Sequence, residues 1–140
     1  MAQGFTVKRF VTLSKHAIFA GSYDVVPFST TLYLGPVPNW VAAPVESVFI
    51  LPVKGIIKDL RFEILTNSIN AGGHNLTIYI NTASSSITVP IGQNSTGPFS
   101  ELVTAVPVNA GDILQFVVTT SGSSGTIVIP SISLLLSETL

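Results

Sequence analysis

The sequence predicts an all-β chain, a jelly-roll-type sandwich of about eight or nine strands, and three observations predict it. Apolar residues alternate with polar ones at period two along most of the chain, and no stretch carries the helical period. Turn residues punctuate that alternation at regular intervals. The 140 residues contain 11 glycines and 9 prolines, which set where strands must stop.

The clearest strand is 59–64, where Leu60, Phe62 and Ile64 alternate with Asp59, Arg61 and Glu63; one face lies in core and the other in water. Residues 75–81 repeat the pattern with Leu76, Ile78 and Ile80. Further strands are read at 5–13, 27–34, 45–53, 86–91, 101–108, 113–120 and 126–136. Leu114, Phe116 and Val118 join the expected core. Turns at 70–74, 92–98, 109–112 and 121–125 separate these strands, each rich in Gly, Asn, Asp or Ser. The last strand is apolar on both faces at its two ends, so it reads as doubly buried, by its own core and by a neighbouring subunit. Pro130 inside it has no amide to donate and must sit at a bulge or an edge. Residues 35–40 form a loop, because Pro36 and Pro38 forbid a regular ladder; Trp40 on it is read as a contact anchor or as a lid on the sandwich.

Charge is scarce. Six basic and seven acidic residues make 13, where a typical domain of this length carries about 35. Uncharged polar side chains must cover the outside, or other protein must bury it; both point to a subunit of an assembly. A net charge of −1 argues against nucleic acid as main partner. The charges are also uneven: residues 1–23 carry +3 through Lys8, Arg9 and Lys15, and the remainder carries 3 − 7 = −4. The chain therefore divides into a basic N-terminal arm, 1–23, and a body, 24–140. In the arm Phe5, Val7 and Phe10 surround the cations, a pattern suited to adding a strand to another subunit's sheet while Lys8, Arg9 and Lys15 meet acidic groups.

Catalytic chemistry finds little to work with. Cysteine is absent, which removes disulfides, thiolate metal sites and thiol nucleophiles. His16 and His74 have no metal-ligand partner at a recognisable spacing. No G-x-S-x-G elbow is present, and Asp59 and Glu63 are offset by Lys58 and Arg61. No glycine-rich loop opens a helix as a phosphate site requires. The expectation is a protein that is not an enzyme, with no cofactor and no metal. Neither a spanning helix nor a secretory signal is read, since Lys15 and His16 interrupt the one apolar stretch that could form a signal. Two glycosylation sequons, at Asn75 and Asn94, are discounted for that reason. Tyr23, Tyr33, Tyr79 and Trp40 are the rings that could serve a glycan, though they are scattered in sequence.

Two segments carry a family likeness. Residues 51–62, with Pro52, Gly55, Ile57 and Leu60, resemble a turn-and-strand element of small jelly-roll domains in phage virion proteins and in exosporium surface proteins of spore formers. Residues 106–114, with Val108, Ala110, Gly111, Asp112 and Leu114, resemble their "V-x-A-G-D-x-L" element. The resemblance covers about residues 44–136 and implies a surface domain that trimerises. Neither a collagen-like stalk nor a coiled-coil shaft accompanies it here, which leaves the layout of a capsid decoration (cement) protein or surface spike. Its expected partners are itself and a shell protein; its expected location is the virion surface, after synthesis in the host cytoplasm. No membrane partner is expected. Ile127, Ile129 and Leu135 of the doubly apolar strand are the expected self-association residues. The alternatives are a spore-surface lattice subunit and a carbohydrate-binding module.

Overall fold

The alternation in the sequence becomes two antiparallel sheets packed face to face. The structure, a computed structural model, describes residues 13–44 and 46–140. Its strands are β1 (Lys15–Pro27), β2 (Thr31–Leu34), β3 (Phe49–Ile50), β4 (Gly55–Ile64), β5 (Thr66–Asn67) and β6 (His74–Ile80), then β7 (Ala83–Ile91), β8 (Gly97–Glu101), β9 (Val106–Val108), β10 (Ile113–Thr119) and β11 (Thr126–Glu138).

One sheet runs β1-β11-β4-β8, with β5 also on β11 and β9 also on β4. The other runs β2-β10-β6-β7, with β3 also on β10. Taking β2 with β3, β4 with β5, and β8 with β9 as pieces of single strands leaves eight. Their spatial order is then first-eighth-third-sixth in one sheet and second-seventh-fourth-fifth in the other, the double Greek key of a jelly roll.

The core lies where the alternation places it. Leu60, Phe62 and Ile64 of β4 face Leu76 and Ile78 of β6 and Leu114, Phe116 and Val118 of β10, and all are buried. Ile80 is only partly buried, at the margin of the same cluster. Each such side chain contributes about 1.5–3 kcal/mol by leaving water. Phe49 closes one end, meeting Phe116 edge to face at 6.0 Å between ring centroids.

β10 is buried on its outer face too, through Gln115 and Val117. The loop between β2 and β3 covers it, and Gln115 Nε2 donates to the Ser47 carbonyl at 3.0 Å. Trp40 on that loop is partly buried and packs against the core. Pro130 falls at an irregularity. Ala20 pairs with Ile132 and Ser22 with Ile129, while on the other side pairing passes from β5 at Val128 to β4 at Ser131. No ladder there asks Pro130 for an amide.

Five expectations change. The strand at 27–34 shortens to β2, Thr31–Leu34, because β1 runs to Pro27 and Ser29 between them takes a left-handed backbone at φ 47°. A strand at 45–53 shrinks to β3, and 101–108 is split into the end of β8 and a separate β9. Residues 15–23, read as part of an arm, lie in β1, paired along β11 of the same chain from Lys15↔Ser137 onward. Ile127 and Ile129, read as contact residues, are fully buried in their own chain's core. The reason is topological: β11 is an interior strand, flanked by β1 and β4, so its apolar residues are satisfied without a second subunit.

Candidate functional site

The outer face of the six-stranded sheet carries the groups most available for binding. Register lines up Phe19 of β1, Ser133 of β11, Arg61 of β4 and Ser100 of β8 in one row across the sheet. A second row holds Ser131, Glu63 and Pro98. The serines of β11 are small, so the sheet is low between the β1 and β4 side chains. Two open depressions result. One, of about 370 Å³, is lined by Arg61, Phe62, Glu63, Pro98, Phe99, Ser100, Ser131 and Ser133. The other, of about 250 Å³, is lined by Ala17, Phe19, Asp59, Arg61, Ser133, Leu134 and Leu135. Beneath the first, Phe62 and Phe99 stack at 5.3 Å and fix its floor.

A bulge aims one carboxylate here. Pairing of β4 with β11 slips between Ser133 and Leu135, and Asp59 takes a left-handed backbone at φ 57°. The extra residue keeps Ile57 and Leu60 on the core side although they are three apart, as bulges do. Asp59 thereby comes to the wall of the smaller depression. The site combines one guanidinium, two carboxylates, serine hydroxyls and an exposed phenyl ring. It can accept and donate hydrogen bonds and offer an aromatic face.

Among the described residues β1 borders this face as an edge strand. Its even-numbered residues Ile18, Ser22 and Val26 are buried, while Lys15, Ala17, Phe19, Tyr23 and Val25 are exposed. Phe19 is 70% exposed and Tyr23 78%; Leu13 and Val25 stand at 46% and 57%. Between Lys15 and Asp24 no Lys, Arg, Asp or Glu interrupts the strand.

Of the expected site residues, Phe5, Val7, Lys8, Arg9 and Phe10 lie outside the described residues. Lys15 is exposed at the start of β1, and Leu135 is half-buried beside the smaller depression. Tyr33 and Tyr79, far apart in sequence, meet edge to face at 6.1 Å on the outside of the other sheet. Among the described residues no three His, Asp or Glu side chains gather as a metal site would need. The residues that sequence reasoning missed are Phe19, Val25 and the serine pair Ser131 and Ser133; Tyr23, read as a ring that could serve a glycan, is exposed on β1.

No family model and no curated relative matches the sequence, so the phage and exosporium resemblance rests on its motifs alone. Solved structures do match in fold. The dimeric latent PorU of Porphyromonas gingivalis aligns with 98% of this chain at a TM-score of 0.56 and 13% identity. The chain spans only 14% of PorU. FLHE aligns over 93% of this chain and 100% of its own length, at a TM-score of 0.52 and 13% identity. A family 35 carbohydrate binding module from Clostridium thermocellum aligns over 85% of this chain and 97% of its own, at 0.47 and 11%. At such identities the likeness to PorU and FLHE shows a shared fold alone; the fold here is an all-β sandwich of two antiparallel sheets.

Proposed function

We propose that this protein is a non-enzymatic structural subunit of a particle surface, a virion decoration protein or spike that is built into a larger assembly. The observation that carries this reading is β1. Edge strands of free-standing domains are kept short, charged or covered, because an open edge recruits other chains. β1 is 13 residues long, pairs regularly with β11 from Lys15 to Ala20 and irregularly beyond, is uncharged between Lys15 and Asp24, and is lined on its exposed side by Phe19, Tyr23 and Val25. Such a strip suits a surface that other protein covers. The scarcity of charge over the whole chain supports the same reading, and so does the motif resemblance. In this proposal residues 1–12, with Phe5, Val7, Lys8, Arg9 and Phe10, together with Lys15, anchor the subunit to an acidic shell surface, a contact that salt weakens.

The test is to purify particles through a density gradient and quantify this chain against the shell protein. A fixed ratio in the particle band is expected. Absence from particles, with the chain remaining at the top of the gradient, would overturn the reading.

A second reading, carbohydrate binding, is favoured by one observation: the exposed Phe19 ring shares a row with Ser133, Arg61 and Ser100 beside the 370 Å³ depression. An aromatic face with converging hydrogen-bonding groups is how open sites hold sugars. A glycan array run with wild type and Arg61→Ala decides it. Binding lost in Arg61→Ala supports this reading; no bound glycan removes it.

A further inference from the structure

We infer that the chain docks end-on: the end of the sandwich at which residues 1–12 lead into β1 seats on an acidic protein surface, and the opposite end, whose links carry no charge, points away from it. End-on docking rests on the reading that the protein decorates a shell. What it adds is the surface that meets the shell and the direction in which the subunit stands.

Topology gathers the connections at two ends. At one lie the start of β1, the β3–β4 link at 51–54, the β6–β7 turn at 81–82, the β9–β10 link at 109–112 and the end of β11. Pairing fixes that grouping. Lys15 is opposite Ser137, and Gly55 is opposite both Glu138 and Val108. The Leu51 amide donates to the Asp112 carbonyl at 2.8 Å. At the other end lie the links at 28–30, 68–73, 92–96 and 120–125. The 13 residues of β1 span about 40 Å between the two.

Charge is divided between these ends. The second end has no Lys, Arg, Asp or Glu in any of its four links, which are mostly Ser, Thr, Asn, Gln and Gly. The first end has Lys15 and Lys54, both exposed, and the arm that joins it brings Lys8 and Arg9. These are four of the chain's six cations. Its acids are Asp112 and Glu138, both half-buried and both turned to backbone of their own chain. Asp112 accepts from the Asn109 amide at 2.8 Å, and Glu138 from the Ser14 amide at 2.9 Å. Four cations against two acids leave this end at +2 in a chain of net charge −1. The other two cations and five acids belong to β1, β4, β8 and the loop between β2 and β3.

The first end also offers apolar contact. Ile50 is 70% exposed and Leu13 46%, and Pro52 in the 51–54 link is exposed too. Apolar side chains among cations suit a protein partner, with charge guiding the approach and fixing its direction. At physiological salt the screening length is about 8 Å, much less than the separation of the ends. An acidic surface therefore attracts one end of this molecule and is indifferent to the other.

Two measurements on the full chain test this. The first reads binding to immobilised poly-L-glutamate, a probe of acidic protein surface, at about 0.1 M salt, where screening acts over about 10 Å. Wild type, Lys15→Gln/Lys54→Gln and Gln93→Glu/Thr96→Glu are compared. Both double variants lower the net charge equally, and Gln93 and Thr96 are exposed in the 92–96 link of the second end. Wild type is expected to bind, the lysine variant to lose about two- to fivefold per lysine, and the glutamate variant to match wild type, all with unchanged circular dichroism. No binding by wild type, or an equal loss in both double variants, would overturn the inference. Capture by double-stranded DNA with none by poly-L-glutamate would overturn it as well.

The second measurement reads how the subunit stands. The chain contains no cysteine, so Pro52→Cys marks the first end and Gln93→Cys the second. Maleimide labelling of each is compared in the free chain and in purified particles. Pro52→Cys should be shielded in particles, and Gln93→Cys should label as it does free. Free labelling of Pro52→Cys in particles that contain the chain would overturn the inference and leave the proposed function standing. Absence of the chain from particles would remove the proposed function, and end-on docking with it.

Discussion

The Nδ1 atom of His74 lies 3.3 Å from the hydroxyl of Ser121, joining the start of β6 to the loop between β10 and β11. The Ser121 hydroxyl also donates to the Gly72 carbonyl. His74 is 1% exposed, and its Nε2 has no hydrogen-bond partner among the described residues. Burial pushes its pKa below the ordinary histidine value, because a charged imidazolium there would lose its hydration.

A pH dependence follows. The unfolded chain binds a proton at His74 near pH 6.5, while the folded chain binds one only at lower pH. Stability contributed by this group is therefore complete above about pH 6.5 and is lost as pH falls towards the lowered folded pKa. The slope in that window is at most about 1.4 kcal/mol per pH unit, the value for one proton. Urea denaturation between pH 7.5 and 5 should show the fall in wild type and a flatter profile in His74→Gln. Equal slopes would contradict this assignment.

Core and surface should separate cleanly. Phe116 is fully buried against Phe49, so Phe116→Ala should cost about 3–5 kcal/mol, and Phe116→Asp or Phe62→Asp should prevent folding. Glu63 on the same strand as Phe62 points to water, so Glu63→Gln should change stability by less than about 0.5 kcal/mol. Urea midpoints of the four variants check this.

Two glycines divide backbone strain from crowding. Gly97 has φ 98° with nothing within 4 Å of an added Cβ, whereas Gly125 has φ 99° with the Ser68 carbonyl oxygen 2.1 Å from that position. Gly97→Ala should cost only the left-handed backbone penalty, about 1–2 kcal/mol. Gly125→Ala should cost clearly more, since the chain between β5 and β6 must move aside. Thermal melts of the two variants, compared at one pH, measure the difference.

Asp112 ties two turns together. Its carboxylate accepts from the Asn109 amide at 2.8 Å and from Asn81 Nδ2 at 3.1 Å, and these bonds hold its pKa below the usual carboxylate value. A lowered carboxylate pKa stabilises the fold above its unfolded value and loses that effect as pH falls through the folded one. Asp112→Ala should cost about 1 kcal/mol at pH 7, with the gap to wild type narrowing below about pH 4, as read by urea midpoints.

The sandwich was legible because its central strands are half-buried. Leu60, Phe62 and Ile64 can alternate with charges only if the other face meets water. β1 was not legible in the same way. His16, Ala17, Ile18, Phe19 and Ala20 offer no polar alternation, so sequence does not tell the buried Ile18 from the exposed Phe19. The +3 charge of residues 1–23 drew the arm boundary past residues that pair with β11. The β6–β7 hairpin was hidden for another reason: Asn81 and Thr82 supply positive φ, at 51° and 66°, without the glycine that usually signals such a turn. The depressions on the outer face were out of reach, since Ser133 and Arg61 become neighbours only through the register of β11 on β4.

The claim that other protein covers the β1 edge is tested most directly by amide hydrogen exchange at Ala17 and Phe19, whose N–H groups turn to that edge. In the isolated chain, diluted until it is monomeric, both should exchange as open strand-edge amides do, while Ile18 between them stays protected. In assembled particles the account expects Ala17 and Phe19 to become as protected as Ile18. Exchange at the two edge amides that is equally fast in particles and in the dilute chain would contradict it.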